Sequence, residues 1–216
     1  MIYSNTRILQ VNLNRSQAAT ENTLQIAIEL KIDIIVVQEP WITQYDSDDY
    51  STARSVAHTS FTQILPKYSG FRPRTLIYVS RLFTPSTSIT TSSPADPDVL
   101  IIDIIESKHK IQLLNIYNEQ NQQPGDSMST IDRLFFNYTP YADSVLLGDF
   151  NTHHPWWDPL AKPSPGSERL VTWIEDHQLE LLNKPGKGTF FRPNMARPSV
   201  LDLSFATKSI GEAIED

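Results

Sequence analysis

Apolar residues recur along this chain in short, strand-sized runs separated by polar or proline-rich stretches. Arg7–Leu13 alternates apolar and polar positions and predicts a strand. Leu24, Ala27, Ile28 and Lys31 then follow a helical spacing, with Ser16 or Thr20 placed to cap the helix. Asp33–Gln38 reads DIIVVQ, a β-branched run without alternation, as expected of a strand covered on both faces. The three elements make a βαβ-like opening. Further strands are expected at Thr75–Ser80, Val99–Glu106, Ile111–Tyr117, Asp143–Leu147, Leu179–Leu182, Gly188–Phe191 and Val200–Ala206. A hairpin turn falls at Lys108-His109. Two more helices are expected: Met128–Tyr138, entered from Pro124-Gly125-Asp126, and the segment carrying Leu170, Trp173, Ile174 and His177. Thr84–Asp98 is rich in Ser, Thr and Pro and reads as an exposed loop. Helices interspersed among many strands indicate an α/β (α+β) chain, a sandwich of mixed sheets covered by helices.

Composition narrows the class. A length of 216 residues suits one domain over 1–216, and 39% hydrophobic with 10% aromatic residues supplies a core for it. Lys and Arg number 18 against 25 Asp and Glu, a net charge of −7. That balance argues against a protein that coats DNA nonspecifically, yet leaves room for a nuclease whose site is itself acidic. The absence of cysteine excludes disulfides, a thiolate nucleophile and cysteine–zinc sites. No apolar run approaches the ~20 residues of a membrane span, and Met1–Arg7 lacks a signal-peptide core. An intracellular protein with no membrane partner is expected.

The candidate chemistry lies where strands end. Ser144–Asn151 is a buried strand closing in Gly-Asp-Phe-Asn. Gly148 permits a close backbone approach. Asp149 and Asn151, two apart on extended backbone, would point the same way and suit holding a water against a phosphate oxygen; an Asx turn is the equally weighted alternative. Glu39 follows DIIVVQ directly. Burying it unpaired is costly, and a divalent cation would resolve that cost; a solvent-facing strand end is the plainer reading. Asn12 and Asn14 share one face at the end of the first strand and could hold a phosphate or a metal-bound water. Tyr117 ends a third strand. Asp202 is a charge inside an apolar strand and wants a partner, usually His or Arg. In the His153-His154-Pro-Trp156-Trp157 stretch, the histidines could contact phosphate or metal and the Trps could stack on bases, but Trps packed under the loop and surface histidines are favoured. Arg72, Arg74 and Arg81 form a modest basic cluster, read as solvated charge.

Taken together, ILQVNLN, DIIVVQEPW, LLNIYN, LLGDFNTHHPWWDP, GTFFRP and SVLDLSFAT resemble the endonuclease/exonuclease/phosphatase superfamily, and within it the apurinic-type endonuclease domains of non-LTR retrotransposons. The resemblance implies a four-layered α/β sandwich and Mg²⁺-dependent phosphodiester hydrolysis, with Mn²⁺ as a possible substitute. It implies Asn12 as an active-site amide, Glu39 as the metal ligand and Tyr117 as a phosphate contact. Asp149 would orient or deprotonate the attacking water with Asn151 as its partner. Thr189 would line the site, and Asp202 would orient a catalytic histidine. DNA is the implied substrate, the nucleus the implied location, and a reverse transcriptase in the same polyprotein a possible partner.

One departure changes the expectation. The superfamily closes with a Ser-Asp-His segment, and the histidines here, at 58, 109, 153, 154 and 177, do not stand in that context. The expectation is therefore a C-terminally incomplete domain lacking its last strand. Its function is a DNA-nicking endonuclease, or alternatively an inactive relic that still binds nucleic acid. A phosphatase acting on a small molecule or lipid head group is a further alternative.

Overall fold

The structure is a computed structural model that describes residues 6–43, 50–66, 70–83, 87–91, 96–106, 109–119 and 129–214. The chain divides into two compact units, Met1–Lys110 and Ile111–Asp216.

In the first unit, β1 (Ile8–Asn12), α1 (Gln17–Glu29) and β2 (Ile34–Gln38) form the expected βαβ opening, with β1 and β2 parallel and Ile8 opposite Ile34. Every residue of β2 is buried, as its unbroken apolar run requires. β4 (Thr75–Ser80) runs antiparallel to β2, and β3 (Phe61–Ile64) pairs with the far side of β4. The four-stranded sheet is thus ordered β1-β2-β4-β3. α1 lays Leu24 and Ala27 onto Ile35, Val37, Leu76 and Tyr78. Ser16 caps the helix, its hydroxyl accepting from the Ala19 N–H at 3.2 Å. Thr20 lies inside the helix and donates to the Ser16 carbonyl instead. Ile28, expected on the core face, is 38% exposed, because the buried stripe is Thr20, Leu24 and Ala27.

The stretch expected as an exposed loop is corrected. Thr87–Thr91 forms a strand, β5, antiparallel to β6 (Val99–Glu106). Backbone pairing to β6 overrides a sequence with little apolar content. Asp96 and Asp98 in the same stretch are buried. Arg74, read as solvated, grips Asp98 with two hydrogen bonds of 2.5 and 2.6 Å, and β4 packs against β6. The turn at Lys108 falls outside the described residues.

In the second unit, β7 (His109–Tyr117, whose first two residues fall in the first unit) runs parallel to β8 (Ser144–Asp149). β10 (Asp202–Thr207) lies antiparallel between β8 and β9 (Leu179–Leu181). The second sheet is ordered β5-β6-β7-β8-β10-β9, so both sheets are mixed. The helices are α2 (Thr130–Asn137), α3 (Ser167–Asp176) and the short α4 (Lys208–Gly211), which the pattern did not signal. The turn at 124–126 expected to lead into α2 lies outside the described residues. Gly188–Phe191 is no strand; only Phe190 bridges Ser199. Phe150 and Phe205 meet edge to face at 5.7 Å in this unit's core. No helix among the described residues is long and apolar enough to cross a membrane.

Candidate active site

The second unit lines up its chemistry by strand register. Tyr117 stands opposite Asp149 in the parallel β7/β8 pair, and Asp149 stands opposite Asp202 in the antiparallel β8/β10 pair. One row across three adjacent strand ends therefore carries a phenol and two carboxylates. β8 can approach β7 this closely because Gly148 faces the Ile116 backbone. A Cβ at position 148 would collide with the Ile116 carbonyl.

Beyond the row, the chain leaves extended backbone at Asn151. Asn151 has φ 48°, and its N–H donates to Asp149 Oδ1 at 3.1 Å. The turn alternative is the one present, and it fixes one oxygen of the carboxylate. Asn118, which the sequence reading passed over, ties this turn down. Its N–H donates to the Asp149 carbonyl at 2.8 Å, its side-chain amide donates to the Phe150 carbonyl at 2.8 Å, and its carbonyl accepts from Asn151 Nδ2 at 2.7 Å. Asp149 and Asn118 are both 8% exposed.

Asp202 finds neither His nor Arg. Its partner is Thr189, whose Oγ1 accepts from the N–H groups of Leu201 and Asp202 at 3.1 and 3.0 Å and hydrogen-bonds the Asp202 carboxyl. Burial nevertheless holds the Asp202 carboxyl above the ordinary carboxylate range, with Thr189 opposing that rise.

The loop after β8 is fastened rather than loose. His153 and Ser164 exchange two hydrogen bonds, at 2.9 and 2.8 Å. Trp157 is fully buried and donates to the Thr152 carbonyl at 3.1 Å, so it packs under the loop as expected. Trp156 lies against Trp157 and Phe205. His154 is committed on both nitrogens, accepting from the Trp156 N–H and facing Glu168 at 3.3 Å. Asp158, at 1% side-chain exposure, pairs with Arg197 at 2.7 Å. This ion pair was not anticipated, because its partners lie 39 residues apart.

In the first unit, Asn12 stands opposite Gln38, and Gln38 opposite Thr75, across the ends of β1, β2 and β4. Asn12 Oδ1 accepts from the Asn14 N–H at 2.9 Å. Asn14 has φ 46°, so it does not share a face with Asn12 on extended backbone. Glu39 follows β2 with φ 48°, a left-handed conformation uncommon for a long side chain. Its carboxylate is 16% exposed and meets Arg15 at 3.1 Å, a partner also absent from the sequence reading.

The first unit thus holds Asn12, Asn14 and Glu39. The second brings together Tyr117, Asp149, Asn151, Thr189 and Asp202, with His153 and His154 on the loop that follows. No group of three or more His, Cys, Asp or Glu side chains suited to a metal gathers among the described residues. A site built from one or two carboxylates suits Mg²⁺, which keeps several waters and shares substrate phosphate oxygens. It does not suit a cation that needs a full protein cage.

Residues 111–215, nearly the whole second unit, match the endonuclease-reverse transcriptase family. Among solved structures, the chain is similar to the endonuclease domain of TRAS1, a telomere-specific non-LTR retrotransposon. Identity is 20%, with 98% of this chain and 89% of that one covered at a TM-score of 0.71. The AP endonuclease LMAP from Leishmania major is 11% identical over 98% of this chain and 81% of its own, also at 0.71. An AP endonuclease from Archaeoglobus fulgidus is 16% identical over 96% and 88%, at 0.60. No curated protein matches the sequence.

Proposed function

Because the chain has the fold of the endonuclease/exonuclease/phosphatase superfamily, we propose that it is a divalent-metal-dependent phosphodiesterase that nicks DNA. The observation that carries this reading is the register row Tyr117–Asp149–Asp202. A nuclease needs an oriented base and a phosphate contact side by side, and the row supplies both within the segment that matches the family. DNA as substrate rests on the neighbours, one a retrotransposon endonuclease domain and two AP endonucleases. On this reading the chain works in the nucleus, alongside a reverse transcriptase of the same polyprotein.

Each residue has a defined task. Asp149 accepts the proton of the attacking water. The Asn151 N–H holds one of its oxygens, and Asn118 holds Asn151. Tyr117 donates to a phosphate oxygen. Thr189 and Asp202 keep the β10 end of the row in place. Glu39 and Asn12 are the residues that would hold the cation. When bound, Mg²⁺ or Mn²⁺ supplies positive charge against the phosphate and the leaving oxygen.

Relaxation of supercoiled plasmid tests the reading. Nicking is expected with Mg²⁺ or Mn²⁺ and not with EDTA. Asp149→Ala should lower the rate by ~10²–10⁴-fold, the usual worth of a positioned proton acceptor. Wild-type protein that leaves plasmid intact with either metal, or Asp149→Ala protein that nicks as fast as wild type, overturns the proposal.

A further inference from the structure

A polar cleft lies wholly in the first unit, along the β3 edge of the four-stranded sheet. β3 is the edge strand. The segment before it folds back alongside, because the Gln63 side chain spends its amide there. Gln63 accepts from the Ser55 N–H at 2.9 Å and donates to the Ser55 and Val56 carbonyls at 3.0 and 2.8 Å. Tyr78 adds a hydrogen bond to Val56 at 2.8 Å. Arg54 is bridged to Thr43, and the Arg81 N–H donates to the Ser60 carbonyl. Between these walls is a cleft of about 460 Å³, lined by Tyr50, Arg54, His58, Phe61, Gln63 and Arg81 among others.

Its chemistry is one-sided. None of the described residues lining it is acidic, in a chain of net charge −7. Neither Arg54 nor Arg81 makes an ion pair among the described residues. Among the described residues, the guanidinium of Arg54 donates to its neighbouring Ala53 carbonyl. His58 Nδ1 accepts from the Ser60 N–H at 3.1 Å, which leaves Nε2 to carry the ring proton of the neutral tautomer. Two guanidinium groups with no ion-pair partner among the described residues match phosphate oxygens. Phe61 is buried in the core beneath the cleft, and the half-buried Tyr50 offers the aromatic surface on which a base can stack. The volume falls within the range of small-ligand sites, ~300–1,000 Å³.

We infer that this cleft binds a nucleotide, its phosphate held by Arg54 and Arg81 and its base against Tyr50. The nucleotide is either free or one unit of a single strand. The inference does not depend on phosphodiester cleavage, and its test is run in EDTA so that turnover plays no part.

The probe is a fluorescently labelled oligothymidylate, followed by anisotropy with full-length protein across a salt series. Inorganic phosphate and thymidine monophosphate serve as competitors. Arg54→Gln/Arg81→Gln should weaken binding roughly tenfold. It should also flatten the log–log salt dependence by ~1.4, the loss of two contacts at ~0.7 each for a single strand. Lys31→Gln/Lys208→Gln, the same loss of charge on exposed positions elsewhere, should leave both unchanged. Tyr50→Ala should weaken the oligonucleotide by about fivefold or more, yet leave competition by inorganic phosphate as it was. Competition by thymidine monophosphate that disappears in the double arginine variant identifies a single-nucleotide site. An oligonucleotide that competes where the mononucleotide does not identifies a strand-binding site, and either supports the inference. Thermal melts confirm that the variants are folded. No binding by wild type, unchanged affinity and slope in the double variant, or equal losses in the lysine control overturns it.

Discussion

Asp149 and Asp202 face each other across the antiparallel β8/β10 pair, two carboxylates at one register position. Burial holds the Asp202 carboxyl above its ordinary value of 3.8, with the Thr189 hydroxyl and the backbone N–H of Asp202 opposing that rise. The folded chain therefore binds that proton more tightly than the unfolded chain. The stabilisation is complete below pH 3.8 and is lost as the pH rises through the raised folded value. Asp202→Asn should consequently be neutral or stabilising at pH 7 in urea melts, with its advantage shrinking as the buffer is acidified. A loss above ~2 kcal/mol at pH 7 would mean that the Thr189 contact outweighs the charge.

Gly148→Ala tests the closeness of β7 and β8. The added methyl meets the Ile116 carbonyl, a backbone atom that cannot swing aside. Overpacking of this kind costs ~1–3 kcal/mol or more, read as a lower denaturation midpoint at unchanged slope. Any surviving activity should fall further than the stability, since Asp149 is the next residue.

The Arg197–Asp158 pair predicts an asymmetry. Asp158 is almost wholly buried, Arg197 is 40% exposed, and Asp158 Oδ2 has no hydrogen-bond partner among the described residues. Arg197→Ala strands a buried charge and should cost ~3–5 kcal/mol. Asp158→Asn keeps the shape without the charge and should cost less. The double variant Arg197→Ala/Asp158→Asn should recover part of the loss, and a strictly additive result would show that the two do not act as a pair.

Arg15 competes for the proposed metal ligand. Its side chain is 51% exposed and reaches Glu39 at 3.1 Å. Such a pair is worth at most ~1 kcal/mol, so Arg15→Ala should barely move the melting temperature. Freed of that partner, Glu39 should take Mn²⁺ up to roughly fivefold more tightly by calorimetry, the equivalent of ~1 kcal/mol. Glu39→Gln should lose the binding. Tighter binding in Glu39→Gln, or none in wild type, removes Glu39 as the ligand.

Much of this architecture is written in local pattern. DIIVVQ could be read as a doubly covered strand because nothing in it faces water, and β2 is buried throughout. The acids at strand ends were visible for the same reason, as polar residues breaking apolar runs. What local pattern could not supply is register. Thr87–Thr91 has the composition of a loop and becomes a strand only by pairing with β6. Nothing in the sequence singled out Asn118, and its hydrogen bonds appear only when β7 is set beside β8. The Arg15–Glu39 and Arg197–Asp158 pairs were invisible because an ion pair is a property of two positions that lie far apart in the chain. For Asn151 the pattern left extended backbone and an Asx turn equally open, and the structure has the turn, with Asn151 in a left-handed conformation.

β10 occupies an interior place in its sheet, yet it is made after both of its neighbours, β8 and β9. During synthesis the edge of β8 must wait, hydrogen-bonding groups exposed, while α3, β9 and the following loop leave the ribosome. Only the arrival of Asp202 closes the row with Asp149. Pairing over so long a stretch of chain is slow. A nascent chain cut short before Asp202 therefore carries Asp149 and Asn151 without this row complete. The row is thus completed late in the synthesis of the second unit, after every other strand of its sheet has been made.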